Sequence, residues 1–260
     1  MIRPVHFLIG MLLAAVALPT VSPAADSLQQ YEVRSYILGE KGDAEAVSDY
    51  LRDALIPALK RQGIGPIGVF KNSEADTSGV SRVIMVIPFD SAEQVATSQS
   101  KLQADTQYQS DAKSYLSGGP KDSPYQRISS ELLVAMDCWP KLKVADGTLQ
   151  NDDRVYELRV YESPNERLGH LKVDMFNAGE VPIFLDCKIQ PIFIGQMVVG
   201  PQTPGLTYLT VYENDAARLE AWKAFQVNPA WNVLKKVEKY QGTVSHIDKY
   251  ILVPMPYSQM

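Results

Sequence analysis

The chain states one motif twice. Tyr31-Glu32-Val33-Arg34-Ser35-Tyr36 returns as Tyr156-Glu157-Leu158-Arg159-Val160-Tyr161, an offset of 156 − 31 = 125. Pro57 and Pro182 keep that offset, as do Pro66-Ile67 and Pro191-Ile192. A maintained offset marks a duplicated unit and constrains the fold more than composition can.

Pattern gives each copy its elements. Tyr31 to Leu38 alternates and predicts a strand. A helix follows from Asp43, with Val47, Tyr50, Leu51, Ala54, Leu55 and Ala58 on one face, and Pro57 is expected to kink or tighten its last turn. Ile64 to Phe70 and Val83 to Ile87 read as strands. Asp90 or Ser91 caps a second helix that Gly118-Gly119-Pro120 breaks, and Ile128 to Met136 is the fourth strand. The second copy repeats this: Tyr156 to Tyr161, a helix with Leu168, Leu171 and Met175, strands at Ile189 to Ile194 and Tyr208 to Tyr212, a helix capped by Asp215 with Leu219, Trp222 and Phe225, and Ile247 to Val253. The offset falls to 123 between Tyr108 and Trp231 and to 119 between Met136 and Met255, so the second copy is shorter by 125 − 119 = 6 residues. The expected fold class is α+β: two tandem ferredoxin-like (βαββαβ) domains at 30–137 and 155–256, joined by a linker at 138–154.

A four-stranded sheet with both helices on one face leaves the other face bare, and two such faces in one chain can cover each other as a barrel. Strand alternation separates Tyr156, Leu158 and Val160 from Glu157, Arg159 and Tyr161. The apolar row is expected under the helices. That puts Glu32, Arg34 and Tyr36, with Glu157, Arg159 and Tyr161, in the barrel interior, where buried charges must pair. His246, Asp248 and Tyr250 share one face of the last strand and are expected to join that interior with Tyr208, Thr210 and Tyr212.

The repeated Tyr-Glu-[Val/Leu]-Arg-x-Tyr strand resembles the opening of the NIPSNAP domain. So does Thr210-Val211-Tyr212-Glu213, followed by Ala216-Ala217-Arg218, Trp222, Phe225 and Asn228-Pro229-Ala230-Trp231. The resemblance covers nearly the whole chain after the leader, twice, and is weaker in the first copy, where Gln103 to Tyr108 has no Asn-Pro-x-Trp. It implies the dimeric α/β-barrel fold, built here within one chain. The family has no agreed enzymatic role. Its eukaryotic members associate with mitochondria, whereas this chain opens with a bacterial-type leader.

That leader is residues 1–25: Arg3, an apolar stretch from Phe7 to Leu18, and Ser22-Pro23-Ala24-Ala25 as the cleavage region. The apolar run is short for a bilayer span, so a periplasmic or secreted protein is expected, with no membrane insertion after cleavage. Loss of Arg3 moves the formal net charge from −5 to −6. A mildly acidic surface without basic runs disfavours nucleic acid. Cys138 and Cys187 are a candidate disulfide in an oxidising compartment, closing a loop of about 50 residues worth roughly 4 kcal/mol; the alternative is two separate buried thiols. Exposed outer helix faces leave a homodimer open.

Three functions fit these residues. The first is a module holding an unidentified small molecule, apolar or anionic, in the barrel. Arg34 and Arg159 would orient it, and Tyr36, Tyr161, Tyr212, His246 and Tyr250 would line it. Glu32 and Glu157 serve as structural ion-pair partners. The second is an enzyme like the cofactor-independent monooxygenases that share the barrel, with His246 or a buried carboxylate as base. The third is a structural protein whose barrel is filled. No catalytic residue is assigned, no cofactor is called for, and His170 and His246 without further ligands make no metal site. A barrel cavity of about 300 Å³ or more separates the first two from the third.

Overall fold

The computed structural model describes residues 28–119 and 121–260. The expected leader lies outside them. The first half runs β1 (Gln30–Ile37), α1 (Ala44–Tyr50), a π turn (Leu51–Leu55), α2 (Ile56–Arg61), β2 (Gly68–Asn72) and β3 (Arg82–Phe89). It continues with α3 (Ala92–Ala104), α4 (Thr106–Asp111), α5 (Lys113–Leu116) and β4 (Arg127–Ala135). The second half runs β5 (Val155–Glu162), α6 (Glu166–Met175), a π turn (Phe176–Glu180), α7 (Val181–Asp186), β6 (Gln190–Val199) and β7 (Gly205–Tyr212). It ends with α8 (Asp215–Val227), α9 (Pro229–Leu234) and β8 (His246–Pro254).

The strands close one mixed α+β barrel in the order β1-β3-β2-β8-β5-β7-β6-β4. Every ladder is antiparallel. The halves meet at two seams, β2 with β8 and β4 with β6, so neither sheet keeps an open edge.

The interior is apolar. Tyr31 and Val33 from β1 meet Tyr156, Leu158 and Val160 from β5, packed with Phe70, Ile84, Phe193 and Leu209. Glu32, Arg34 and Tyr36, and likewise Glu157, Arg159 and Tyr161, face the helices instead: Tyr36 belongs to the core under the first helical layer and Tyr161 to that under the second. The assignment of faces expected from the sequence is therefore reversed. Alternation distinguishes two faces but does not say which is enclosed. The row without charges takes the barrel, because no helix there can supply a counter-charge, whereas the helical layer can.

Both prolines at the preserved offset act alike. Pro57 and Pro182 sit in the first turn of α2 and α7, each directly after a π turn. A proline cannot donate to the carbonyl four residues back, and the helix widens ahead of it rather than ending. Ser91 caps α3, as expected, while Asn214, not Asp215, caps α8 through its side chain. In α6 the buried positions are Gly169, Lys172 and Met175, with Leu168 and Leu171 only partly covered.

Residues 138–154 do not behave as a solvated spacer. Trp139 is buried and donates from Nε1 to the Ile192 carbonyl at 3.1 Å, and Leu142 and Val144 pack on the barrel core. Met260 is fully buried in that same core.

Candidate functional site

The densest polar constellation lies between the second sheet and its helices. Glu157, with no exposed surface, accepts from Arg159 Nε at 2.5 Å, Arg218 Nη1 at 2.8 Å and Trp222 Nε1 at 3.0 Å. The Arg159 guanidinium stacks 3.5 Å from the Trp222 ring centre. Arg159 also reaches the Tyr161 hydroxyl at 3.4 Å, which bonds the Tyr208 hydroxyl at 2.8 Å. Nearby, Lys172 Nζ donates to Glu180 Oε2 at 2.7 Å, with both side chains 5% exposed or less. Burial raises the Glu180 pKa, and Lys172 and Arg159 pull it back. Burial likewise holds the Tyr208 phenol well above its ordinary value.

The first half has the same strand motif and a different surrounding. Arg34 forks onto Glu32 at 2.8 and 3.0 Å, and the third contact is the Ser130 hydroxyl from β4, not a helix residue. The offset of 125 sets Lys172 and Glu180 against Val47 and Leu55. The offset of 215 − 92 = 123 between the first residues of α8 and α3 sets Arg218 against Val95 and Trp222 against Gln99. Strand register sets Tyr208, opposite Arg159, against Met85, opposite Arg34. One copy is charged where the other is mostly apolar.

An open groove of about 1100 Å³ runs beside the charged network, between the linker at Asp146–Arg154, the end of α7 and the exposed flank of α8. Tyr212 joins groove and network. It lines the groove, and its hydroxyl lies 3.0 Å from that of Thr210, which is 3.2 Å from the Glu157 carbonyl oxygen. Five carboxylates line the groove, from Asp146, Asp153, Asp186, Glu213 and Glu220. The cations among its walls are Lys188 and Arg154, and Arg154 turns inward to the Tyr156 hydroxyl at 2.9 Å.

The residues expected to share one cavity fall in three places. Glu157, Arg159, Tyr161 and Tyr212 belong to the second helical layer; Glu32, Arg34 and Tyr36 to the first; Tyr250 and His246 to one mouth of the barrel. Tyr250 lines a pocket of about 90 Å³ at that mouth, far below the ligand-sized cavity of about 300 Å³ expected inside the barrel. His246 is exposed, with Nε2 at 3.1 Å from Asp248. Neither Arg34 nor Arg159 lines the groove or the mouth pocket. Cys138 and Cys187 are both free thiols, so the candidate disulfide is not formed; burial pushes Cys138 up to about 11. Among the described residues, no group of three or more His, Cys, Asp or Glu could hold a metal ion, and no helix is long and apolar enough to cross a membrane.

Lys172, Glu180 and Glu131 carry no local mark in the sequence, and Arg218 and Trp222 stand in the stretch that resembles the NIPSNAP domain without pointing to Glu157. The duplication held the signal for most of them: a charge in one copy aligned with Val47, Leu55 or Val95 in the other.

The NIPSNAP family model matches residues 156–259. No curated protein matches the chain. Among solved structures, a candidate monooxygenase from Lactobacillus acidophilus NCFM is 14% identical, with a TM-score of 0.53 over 88% of this chain and 94% of that one. A candidate monooxygenase from Fusobacterium nucleatum is 10% identical, with a TM-score of 0.55 over 88% and 93%. An uncharacterized NIPSNAP-like domain protein from Burkholderia xenovorans is 20% identical, with a TM-score of 0.37 over 42% of this chain and 91% of that one. At these identities the likeness to the first two structures is one of fold alone.

Proposed function

We propose that this protein, whose residues 156–259 form a NIPSNAP domain, is an exported binding protein that holds a small, positively charged molecule in the groove of its second half. The observation that carries this is the open acidic groove itself, with five carboxylates on its walls and Tyr212 held at its floor by the Thr210 hydroxyl. The carboxylates supply the attraction, and the buried network lies directly behind the strand and helix that form the groove wall. Arg159, paired with Glu157 and stacked on Trp222, is a residue of that buried network and not a clamp for an anion. Each half follows one strand order, β4-β1-β3-β2 and β8-β5-β7-β6 read round the barrel, which supports two copies of a ferredoxin-like unit. Export rests on residues 1–25 and is tested by sequencing the N-terminus of the mature protein, expected after Ala24 or Ala25.

The binding test is mass spectrometry of small molecules that accompany the natively purified protein. Ala217→Trp and Ala224→Trp, which crowd the groove from α8, should abolish retention. Arg34→Ala in the other half should not. Retention in both tryptophan variants would overturn the groove as the site.

A second reading, an oxygenase without cofactor, is favoured by the barrel likeness to two candidate monooxygenases and by the paired Tyr161 and Tyr208 hydroxyls in a water-excluded layer. It requires oxygen uptake when the retained molecule is supplied; its absence removes this reading and leaves binding.

A further inference from the structure

The barrel core is mostly apolar, and the mouth where β1 and β5 end carries a buried carboxyl group. There Glu131 of β4 turns inward with 7% of its surface exposed, and its Oε1 makes no hydrogen bond. The fully buried Thr207 hydroxyl on β7 faces it and lowers its pKa, yet makes no hydrogen bond of ordinary geometry either. Oε1 is therefore sealed against Thr207, and the other carboxyl oxygen, which has no partner among the described residues, is the one left to meet a ligand. Glu131 lines the mouth pocket of about 90 Å³, roomy enough for about three waters or an organic molecule of a few heavy atoms.

The chemistry of the lining selects among such molecules. Ser35 and Ser129 offer hydroxyls, and Gln202 spends its amide N–H groups on Glu162 at 2.8 Å and Asp248 at 2.7 Å, which leaves its oxygen as an acceptor. Charged and titratable groups reach the mouth from four strands: Arg82 on β3, Glu131 on β4, Glu162 on β5, and His246, Asp248 and Tyr250 on β8. Arg82 lies 4.2 Å over the Tyr250 ring and leaves the carboxylates in excess. We propose that this pocket is a binding site for a small protonated amine, whose N–H groups donate to the free oxygen of the Glu131 carboxylate and to the seryl and glutamine oxygens at the mouth. The amine supplies both the donors and the charge that the lining lacks. In its absence burial pushes the Glu131 pKa up to about 7, so binding should strengthen in alkaline buffer as the carboxylate forms. This site is separate from the outer groove and does not depend on it.

The test is calorimetric titration of the full chain with methylammonium chloride, against sodium chloride and tetramethylammonium chloride at equal ionic strength. Saturable binding of one methylammonium per chain is expected, with none for tetramethylammonium, which has no N–H and is larger. Glu131→Gln should weaken it by about tenfold or more, the worth of a charge-assisted bond. Ser129→Leu, at a partly exposed rim position, should block entry without removing the carboxyl and serves if Glu131→Gln does not fold. Equal affinity in the folded Glu131→Gln or Ser129→Leu variant, or no saturable binding by the wild type in alkaline buffer, would overturn the proposal.

Discussion

Lys172 and Glu180 stand in the second half where Val47 and Leu55 stand in the first, on the same helix face and beside the same π turn. Both arrangements pack, so the fold does not need the charges. A buried ion pair seldom adds stability over well-packed apolar residues of similar size. The difference between the halves separates what holds the barrel together from what was added to one side of it. The shared part is the Glu-Arg-Tyr strand, the π turn with its proline and the apolar barrel core. The additions are Arg218, Trp222, Lys172, Glu180 and Tyr208, and they gather under one helical layer, next to the groove.

The largest effect expected from this contrast is for a single substitution. Lys172→Val should strand the buried Glu180 carboxyl and destabilise by about 3–5 kcal/mol in urea unfolding. The double variant Lys172→Val/Glu180→Leu, which gives the second half the residues of the first, should be neutral or more stable by about 1–4 kcal/mol. If the double variant is as damaged as the single one, the pair is structural and the two halves are not interchangeable frames.

The core both halves share makes the next prediction. Folding raises the Glu131 pKa from 4.5 to about 7. The folded state therefore binds that proton more tightly, and the stabilisation is full below the unfolded value and is lost as pH rises from about 4.5 to about 7. At 1.36 kcal/mol per unit this amounts to about 3 kcal/mol. Unfolding measured across that range should show the slope, and Glu131→Gln should flatten it. The smallest effect belongs to the first half: Arg34→Ala removes a pair whose side chains keep 20–23% of their surface, and should cost about 1 kcal/mol or less.

Much of the frame was legible in the sequence, because a period-two strand pattern and a fixed offset both repeat. Tyr31 to Tyr36 and Tyr156 to Tyr161 are strands, Ser91 is a cap, and the eight strands close a barrel. The faces were not legible. A strand of alternating Tyr-Leu-Val and Glu-Arg-Tyr has two rows that could each be buried, and what decides is the partner across the layer. For Glu157 that partner is Arg218, 61 residues later on a helix, and no local pattern links the two. Lys172 is hidden in the sequence because apolar Leu168 and Leu171 suggest another face for α6 and a lysine is usually solvent-facing. The groove was not legible either, since it is bounded by a linker that the sequence presents as a polar spacer.

The most direct measurement is the unfolding free energy of Glu157→Ala beside that of Glu32→Ala, the same substitution at the same place in each copy. The account predicts a loss of about 3–5 kcal/mol for Glu157, which would abandon Arg159, Arg218 and the Trp222 N–H in a dry layer, and about 1 kcal/mol or less for Glu32. Equal losses at the two positions would contradict it.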